Sequence, residues 1–306
     1  MIIFMCVHKR SFFKYLITVL LLFSFITIVG NCKPGEKEVV LSYQTWAEHM
    51  ILGEIFHILL EEKTDIPIKV VELDSSAIQW VAMKEGEIDI TPFYTANAYM
   101  TVLGDTGMRD PDKVYNYVKE QYKEKFNVII LERLGFYNNY DLAVRPEVAE
   151  KYNLKTYSDL AKVADQLKIV TDINFLDRAD CYPLLQEKYG MAFKEVIAVG
   201  VTIKYPTIAN KEADVINNYT TDAKIKELGL IVLEDDKHAF PPYDAVPMVR
   251  GEILEMYPEI EEVLNLLAGK ISTDEMTEMN YMVEIKMEEP EDVARDFLIK
   301  EGLIEE

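Results

Sequence analysis

The sequence lacks the short motifs that mark the common cofactor-dependent enzymes. None of its 13 glycines stands as Gly-x-Gly, so the dinucleotide fingerprint is missing, and no phosphate loop ends in Gly-Lys-Ser or Gly-Lys-Thr. The four histidines form no His-Glu-x-x-His helix, and no Gly-x-Ser-x-Gly elbow presents a nucleophile. We therefore expect no catalytic residue, no metal site and no cofactor.

Basic residues are also scarce. Lys and Arg number 32 against 53 Asp and Glu, which gives a formal net charge of -21. Because nucleic-acid binding depends on Lys and Arg that displace counterions from phosphates, this balance argues against a nucleic-acid partner. The 306 residues, 49% of them apolar, exceed the roughly 150 expected of one domain and predict two lobes.

The N-terminus departs from the acidic pattern. Lys9, Arg10 and Lys14 precede an apolar run over residues 16–29. A basic segment followed by such a run is typical of a secretory signal. At about 14 residues the run is shorter than the roughly 20 that a transmembrane helix needs. We expect residues 1–31 to be a signal peptide.

The apolar run ends in Val-Gly-Asn-Cys, which resembles a bacterial lipobox except that Asn31 replaces the usual small residue. Cleavage before Cys32 would leave a lipid-bearing thiol and a tether over residues 32–37, which would hold the protein on the outer side of a bacterial membrane. An uncleaved anchor and ordinary signal cleavage remain alternatives. With lipid on Cys32, no disulfide can form, and Cys181 is expected to be a buried thiol.

Apolar runs and helical periodicity alternate along the rest of the chain. Strands are predicted at 38–42, 66–73, 88–90, 168–171 and 213–215, with helices between them, and residues 249–303 look wholly helical. In the first helix, Glu48 is assigned to the polar face. Alternation of this kind indicates an α/β fold with parallel sheets covered on both faces.

The pattern restarts near residue 151, which suggests two similar α/β lobes. We predict that residues 38–138 and 245–306 form lobe 1 and that residues 139–244 form lobe 2. Ligands of open α/β sheets bind outside the carboxyl ends of the strands. The cleft between the lobes is therefore the predicted ligand site.

Four tyrosines follow predicted strands or lie at lobe junctions, namely Tyr94, Tyr140, Tyr219 and Tyr243. A quaternary ammonium has no hydrogen to donate, so a protein holds it with the negative faces of aromatic rings, at roughly 0.5 to 2 kcal/mol per ring. Four rings contribute at most about 8 kcal/mol of gross binding free energy. Micromolar binding requires a net binding free energy of about 8 kcal/mol, after the cost of ordering the ligand and the protein has been subtracted, so the rings alone fall short. A polar or cationic group for the other end of the ligand is therefore expected as well.

Several longer stretches carry a family resemblance. They are GEIDITPFYTANAYMTVL at 86–103, LGFYNNYDLAVR at 134–145, NLKTYSDLAKVA at 153–164, ADVINNYTTDAKIK at 213–226 and VLEDDKHAFPPYDAV at 232–246. In order and spacing the chain resembles the OpuBC and ProX-type glycine betaine, choline and carnitine binding proteins of ABC transporters, from about residue 38 to the C-terminus. The resemblance implies a two-lobed periplasmic-binding-protein-like fold of type II, with the ligand cleft between the lobes.

The resemblance also assigns roles to individual residues. The four tyrosines fall on the aromatic cage of the family. Five polar residues fall on ligand-contacting or nearby positions: Gln44, Asn97, Asn138, Arg178 and Thr221. Arg178 stands where glycine betaine binders hold the ligand carboxylate, Asn97 where relatives carry Thr or Asp, and Asn138 where an acidic residue often offsets the cation. These departures leave the identity of the solute open.

The implied partners are a small quaternary-ammonium ligand and an ABC permease with its ATPase, with the binding protein itself a monomer. Closure is expected about two crossovers, at 136–141 and 243–246. An amino-acid receptor of the same fold, a receptor for another betaine such as ergothioneine, a sensor lobe and an extracellular enzyme remain alternatives. No further apolar span follows the first one, which argues against a fused permease.

Overall fold

The computed structural model describes residues 38–105, 107–177 and 181–305. The predicted signal peptide, the tether with Cys32, and Arg178 lie outside the described residues. Within those residues no helix combines the length and the apolar character needed to cross a membrane.

Ten strands run through the described part of the chain. In chain order they are β1 (Val39–Gln44), β2 (Ile68–Leu73), β3 (Ile90–Tyr94), β4 (Val128–Ile130), β5 (Tyr140–Val144), β6 (Lys168–Asp172), β7 (Glu195–Val199), β8 (Val215–Tyr219), β9 (Ile231–Val232) and β10 (Ala245–Arg250). They form two five-stranded sheets, of order β2-β1-β3-β10-β4 and β7-β6-β8-β5-β9. Each sheet belongs to one lobe, and the α/β prediction is confirmed; the exact lobe boundaries stay a prediction.

Thirteen α-helices connect and cover the described strands. They are α1 (Ala47–Lys63), α2 (Ser76–Glu85), α3 (Pro111–Phe126), α4 (Pro146–Tyr152), α5 (Tyr157–Ala161), α6 (Ile173–Asp177), α7 (Tyr182–Tyr189), α8 (Val201–Ala209), α9 (Ala223–Leu228), α10 (Gly251–Met256), α11 (Glu259–Leu264), α12 (Thr273–Glu284) and α13 (Pro290–Lys300). Local chemistry sets several of their ends. Ser75 caps α2 through its side chain, and Asp110 caps α3 ahead of a proline at its first turn.

Both sheets are mixed, whereas the sequence predicted parallel ones. β1 runs parallel to β2 and β3, but β10 pairs antiparallel with both β3 and β4. In the second sheet β5 pairs antiparallel with β8 and β9. The reversed strands β5 and β10 are those that follow the crossovers between lobes, so the direction from which the chain enters each sheet explains the difference.

Two strand boundaries and the C-terminal prediction also differ. The strands predicted at 88–90 and 213–215 are observed at Ile90–Tyr94 and Val215–Tyr219. Two polar residues inside them are hydrogen-bonded: Thr91 Oγ1 accepts from Gln79 Nε2 at 2.8 Å, and Asn217 Nδ2 donates to Asp172 Oδ2 at 2.9 Å. The stretch 249–303 starts in β10, not in a helix.

Each sheet is covered by apolar clusters on both faces. In the first lobe, α1 and the C-terminal helices cover one face, with Ile51, Leu52 and Phe56 fully buried. Full burial of such side chains contributes roughly 1.5–3 kcal/mol each. α3 supplies Val114 and Val118 to the opposite face. This packing fixes α1, whose first turn lies next to the candidate site.

Gly53 marks a close approach between α1 and β1. A Cβ atom added there would lie 1.9 Å from Tyr43 Cδ1. In an open helix a Gly→Ala change stabilises by up to about 1 kcal/mol. Here overpacking opposes that gain, so we expect Gly53→Ala to lower the free energy of unfolding by roughly 1–3 kcal/mol, measured by urea denaturation.

The matched control repeats Gly53→Ala in a Tyr43→Ala background. With the ring removed, the loss should be smaller but not abolished, because the Cβ of residue 43 remains 2.8 Å from the added atom. The double-mutant cycle therefore isolates the contribution of the ring, and an equal loss in both backgrounds would show that the Tyr43 ring is not the cause.

Candidate functional site

A cavity of about 320 Å³ opens at the strand ends where the two sheets face each other. Its lining consists of Gln44, Trp46, Tyr94, Asn97, Asn138, Tyr140, Tyr219 and Tyr243. Gln44, Tyr94 and Tyr219 are the last residues of β1, β3 and β8. The structure thus brings together the four predicted tyrosines and three of the five predicted polar residues.

Two tyrosines of the second lobe are paired by strand register. Tyr140 begins β5 and lies directly opposite Tyr219 at the end of the antiparallel β8. Their ring centroids are 4.9 Å apart at 35°, and the Tyr219 hydroxyl donates to that of Tyr140 at 3.3 Å. The register therefore presents two aromatic rings together at one wall of the cavity.

The first lobe supplies a second aromatic pair. Tyr94 is only 5% exposed, and its ring stacks with that of Trp46 at 6.3 Å between centroids and 25° between planes. The sequence analysis did not include Trp46, because a single aromatic residue at a helix start is usually part of the core. Its position two residues after the predicted ligand contact Gln44 was the one sequence feature that pointed to a place in the site.

Gln44 is held by a chain of side-chain amides. Its Nε2 donates to Gln79 Oε1 at 2.9 Å, and its Oε1 accepts from Trp46 Nε1 at 3.3 Å. Asn97 Nδ2 donates to Ser76 Oγ at 3.4 Å, so α2 supports Asn97 as well. These contacts fix two polar groups at the end of the cavity formed by the first lobe.

Glu48 is the largest departure from the sequence prediction. It was assigned to the polar face of the first helix but is fully buried. Its carboxylate accepts hydrogen bonds from the Tyr94 hydroxyl and from Asn138 Nδ2 at 2.9 Å. It also accepts from Thr221 Oγ1 at 2.5 Å and Asn280 Nδ2 at 3.1 Å. The pKa of Glu48 is raised, because the effect of burial exceeds that of these four donors, which act in the opposite direction.

Thr221 is placed differently from the predicted ligand contact. Its side chain is buried and its hydroxyl donates to Glu48, while its backbone oxygen accepts from Asn280 Nδ2 at 2.9 Å. Thr221 does not line the 320 Å³ cavity but a neighbouring cavity of about 620 Å³. It therefore ties the second lobe to Glu48 and to α12 of the first.

The neighbouring cavity contains a buried cation that the sequence analysis missed. Lys204 is 1% exposed, donates to the Asn217 carbonyl at 2.9 Å and lies 3.8 Å from Asp172 Oδ2. Burial lowers its pKa. Lys204 lies in α8, and nothing in the sequence pattern pointed to a buried cation there. The predicted Arg178 lies outside the described residues.

Cys181 is buried and belongs to the core cluster of the second lobe. Within the described residues no group of three or more His, Cys, Asp or Glu side chains is arranged to hold a metal ion.

The two crossovers between the lobes run side by side. Tyr137 and Asp244 form an isolated antiparallel bridge, and Asn138 N donates to the Tyr243 carbonyl at 3.1 Å. Asn139 Oδ1 accepts from Tyr243 N at 2.9 Å. Asn138 and Tyr243, which both line the cavity, are thus placed by the segments that connect the lobes.

Two α/β lobes with an aromatic cavity at facing strand ends define a bilobal solute-binding protein. A family model for the substrate binding domain of ABC-type glycine betaine transport systems matches residues 37–300. The chain belongs to this family.

Individual relatives match nearly the whole of this chain. The chain is 35% identical over 305 residues to the carnitine transport binding protein OpuCC of Listeria monocytogenes, covering 97% of this chain and 99% of that protein. It is 34% identical to the ergothioneine transport permease/ergothioneine binding protein EgtU of Helicobacter pylori, covering 93% of this chain and 51% of that protein.

A crystal structure of a glycine betaine/carnitine/choline ABC transporter protein matches with a TM-score of 0.83 and 33% identity over 87% of this chain and 99% of that one. Apo YehZ from Escherichia coli matches with a TM-score of 0.76 at 24% identity, over 88% of this chain and 100% of that one, and supports the fold. The predicted type II binding-protein fold is confirmed.

Two histidines of α1 should affect stability with opposite pH dependence. Burial lowers the pKa of His49 to about 3, and its Nδ1 accepts from Gln44 N at 3.3 Å. Below pH 6.5 this histidine therefore becomes protonated in the unfolded chain but stays neutral in the folded protein. The free energy of unfolding falls as the pH drops below 6.5. Replacement by Gln should flatten that loss, by at most about 1.4 kcal/mol per pH unit.

His57 is the control of opposite sign. Glu54 and Glu61 raise its pKa, so its contribution is present below 6.5 and fades as pH rises through the folded value. His57→Gln should therefore lose most stability at low pH. The midpoints of urea unfolding between pH 4.5 and 8 measure the stability of both variants. If the two variants depend on pH in the same way, the opposite pKa shifts assigned to His49 and His57 are wrong.

Proposed function

We propose that the protein captures a small quaternary-ammonium solute and delivers it to the permease of an ABC importer. The observation that carries this proposal is the convergence of four tyrosines and Trp46 on one cavity. Aromatic faces attract a cation that cannot donate hydrogen bonds. Relatives named for carnitine and for glycine betaine support the same class of solute.

The proposed binding mode divides the cavity by chemistry. The ammonium group binds among the rings of Tyr94, Tyr140, Tyr219 and Tyr243. These rings come from both lobes. Gln44 and Asn97 lie at the first-lobe end and serve the polar part of the solute. Arg178 is proposed to meet a carboxylate when the solute carries one. Thr221 does not contact the solute directly and acts on the site through its hydrogen bond to Glu48.

The chain is proposed to act outside the cytoplasm as a monomer, held at the membrane by lipid on Cys32, and to bind without chemical change of the solute. The family of substrate-binding domains and the sequence of the first 31 residues support this. Another betaine such as ergothioneine is the alternative solute, because the Helicobacter pylori relative is named for it.

Isothermal titration of residues 33–306 against choline, glycine betaine, carnitine, proline betaine and ergothioneine tests the proposal. We expect at least one compound to bind at micromolar Kd or tighter. Tyr140→Ala and Tyr243→Ala should each weaken it roughly 2- to 30-fold, the cost of one lost ring, and Phe at either position should retain most of the affinity.

Tyr152→Ala is the matched control, because this half-buried tyrosine at the end of α4 does not line the cavity. Its affinity should equal that of the unaltered protein. Failure of all five compounds to bind, or equal losses at Tyr152 and Tyr140, would exclude the tyrosine cage as the binding site.

Closure of the lobes is the second test. Rings from both lobes contact one solute only when the cleft is closed, so saturating ligand should shift the population toward a compact form. Small-angle scattering should show a smaller radius of gyration with the bound compound than without it. An unchanged radius under saturation would contradict hinge closure about 136–141 and 243–246.

A further inference from the structure

Among the described residues, the wall of the tyrosine cavity carries no charged side chain, since its lining consists of Tyr, Trp, Gln and Asn. A permanent cation that leaves water for such a site loses its hydration, and aromatic rings offset only part of that cost. A buried opposite charge close to the wall would offset more, because water does not screen it there.

Glu48 meets this requirement. It is fully buried and lies one hydrogen bond behind two lining residues, Tyr94 and Asn138. We propose that Glu48 is the counter-ion of the bound cation and selects for positively charged head groups without touching the solute. This rests on the proposed function.

The partners of Glu48 are those of an ionised carboxylate. Two hydroxyls, of Tyr94 and Thr221, and two amide nitrogens, of Asn138 and Asn280, all donate to it. An ionised carboxylate accepts about four hydrogen bonds, so these four donors satisfy the charged form. In a neutral carboxyl group the proton would go to the Tyr94 or Thr221 hydroxyl, and that hydroxyl would then need another acceptor for its own proton. The arrangement therefore uses the full accepting capacity of the charged form.

Asn138 connects the charge to the cavity. Its Nδ2 donates to Glu48, and its Oδ1 is buried without a hydrogen-bond partner among the described residues. The amide thus offers its donor end to the carboxylate and keeps its negative end unpaired at a residue that lines the cavity.

Other charged groups line a neighbouring cavity that shares Trp46, Asn138 and Tyr219 with the tyrosine cavity. Asp222, Glu227 and Glu284 line the neighbouring cavity together with Lys204 and Lys224. In that set opposite charges partly cancel. Lys204 Nζ lies 5.9 Å from the centroid of the Tyr219 ring, whereas Glu48 accepts hydrogen bonds from the side chains of Tyr94 and Asn138 and, among the described residues, has no cation within ion-pair distance.

The test compares choline binding by three folded proteins. Glu48→Gln removes the charge and keeps the shape, and should weaken choline about tenfold or more, a factor that corresponds to about 1.4 kcal/mol. Glu61→Gln makes the same change on the exposed end of α1 and should have no effect, because solvent and salt screen it. Equal affinities for Glu48→Gln and the unaltered protein would overturn the proposal.

A neutral isostere separates charge from structure. In 3,3-dimethyl-1-butanol a carbon replaces the nitrogen of choline, so its affinity for Glu48→Gln should equal or exceed that for the unaltered protein. A parallel loss for both compounds would assign Glu48 a purely structural role. If the unaltered protein binds no quaternary ammonium, the proposed function fails first.

The double variant Glu48→Gln/Asn138→Asp supplies a rescue. It exchanges carboxylate and amide across one hydrogen bond, so the charge stays at the site and the contact is kept. Choline affinity should return to within about threefold of the unaltered protein, a difference of less than 1 kcal/mol at 1.4 kcal/mol per factor of ten. If the double variant folds but its choline affinity stays about tenfold or more below that of the unaltered protein, the proposal is overturned. Because this comparison is made with the unaltered protein, it also serves when Glu48→Gln alone does not fold.

Discussion

The candidate site depends on one buried carboxylate and on the need to satisfy it. A carboxylate without water is costly unless donors surround it, and Glu48 obtains four of them from different parts of the chain. They come from the end of β3, the first crossover, the turn after β8, and α12. In this arrangement of the lobes, each of these segments is held against the first turn of α1.

The aromatic cavity follows from strand pairing as much as from composition. Tyr140 meets Tyr219 because β5 and β8 are antiparallel, whereas parallel strands would place the start of one at the opposite edge from the end of the other. Tyr94 reaches the same region as the terminal residue of β3. Strand direction, which the sequence predicted wrongly, therefore decides which rings can face one solute.

Much of the fold was predictable because apolar periodicity marks α1 and the buried strands directly, and the tyrosines followed from a family resemblance. Four features were not predictable. A glutamate in the first turn of a helix is usually exposed to solvent. Glu48 is buried because its hydrogen-bond donors come from segments that are distant in sequence, which no local pattern shows. Trp46 and Lys204 are single residues whose roles depend on tertiary neighbours. The antiparallel entry of β10 depends on the path of the chain through the other lobe, which no local pattern records.

The position of β10 between β3 and β4 has a consequence for how the molecule is made. During synthesis from the N-terminus, the first sheet has a gap until residues 245–250 emerge, after the whole second lobe has been produced. Such distant pairings slow folding and leave strand edges exposed in the meantime. A nascent chain that stops short of this strand cannot complete the first lobe, so the second lobe is the earlier one to gain independent structure.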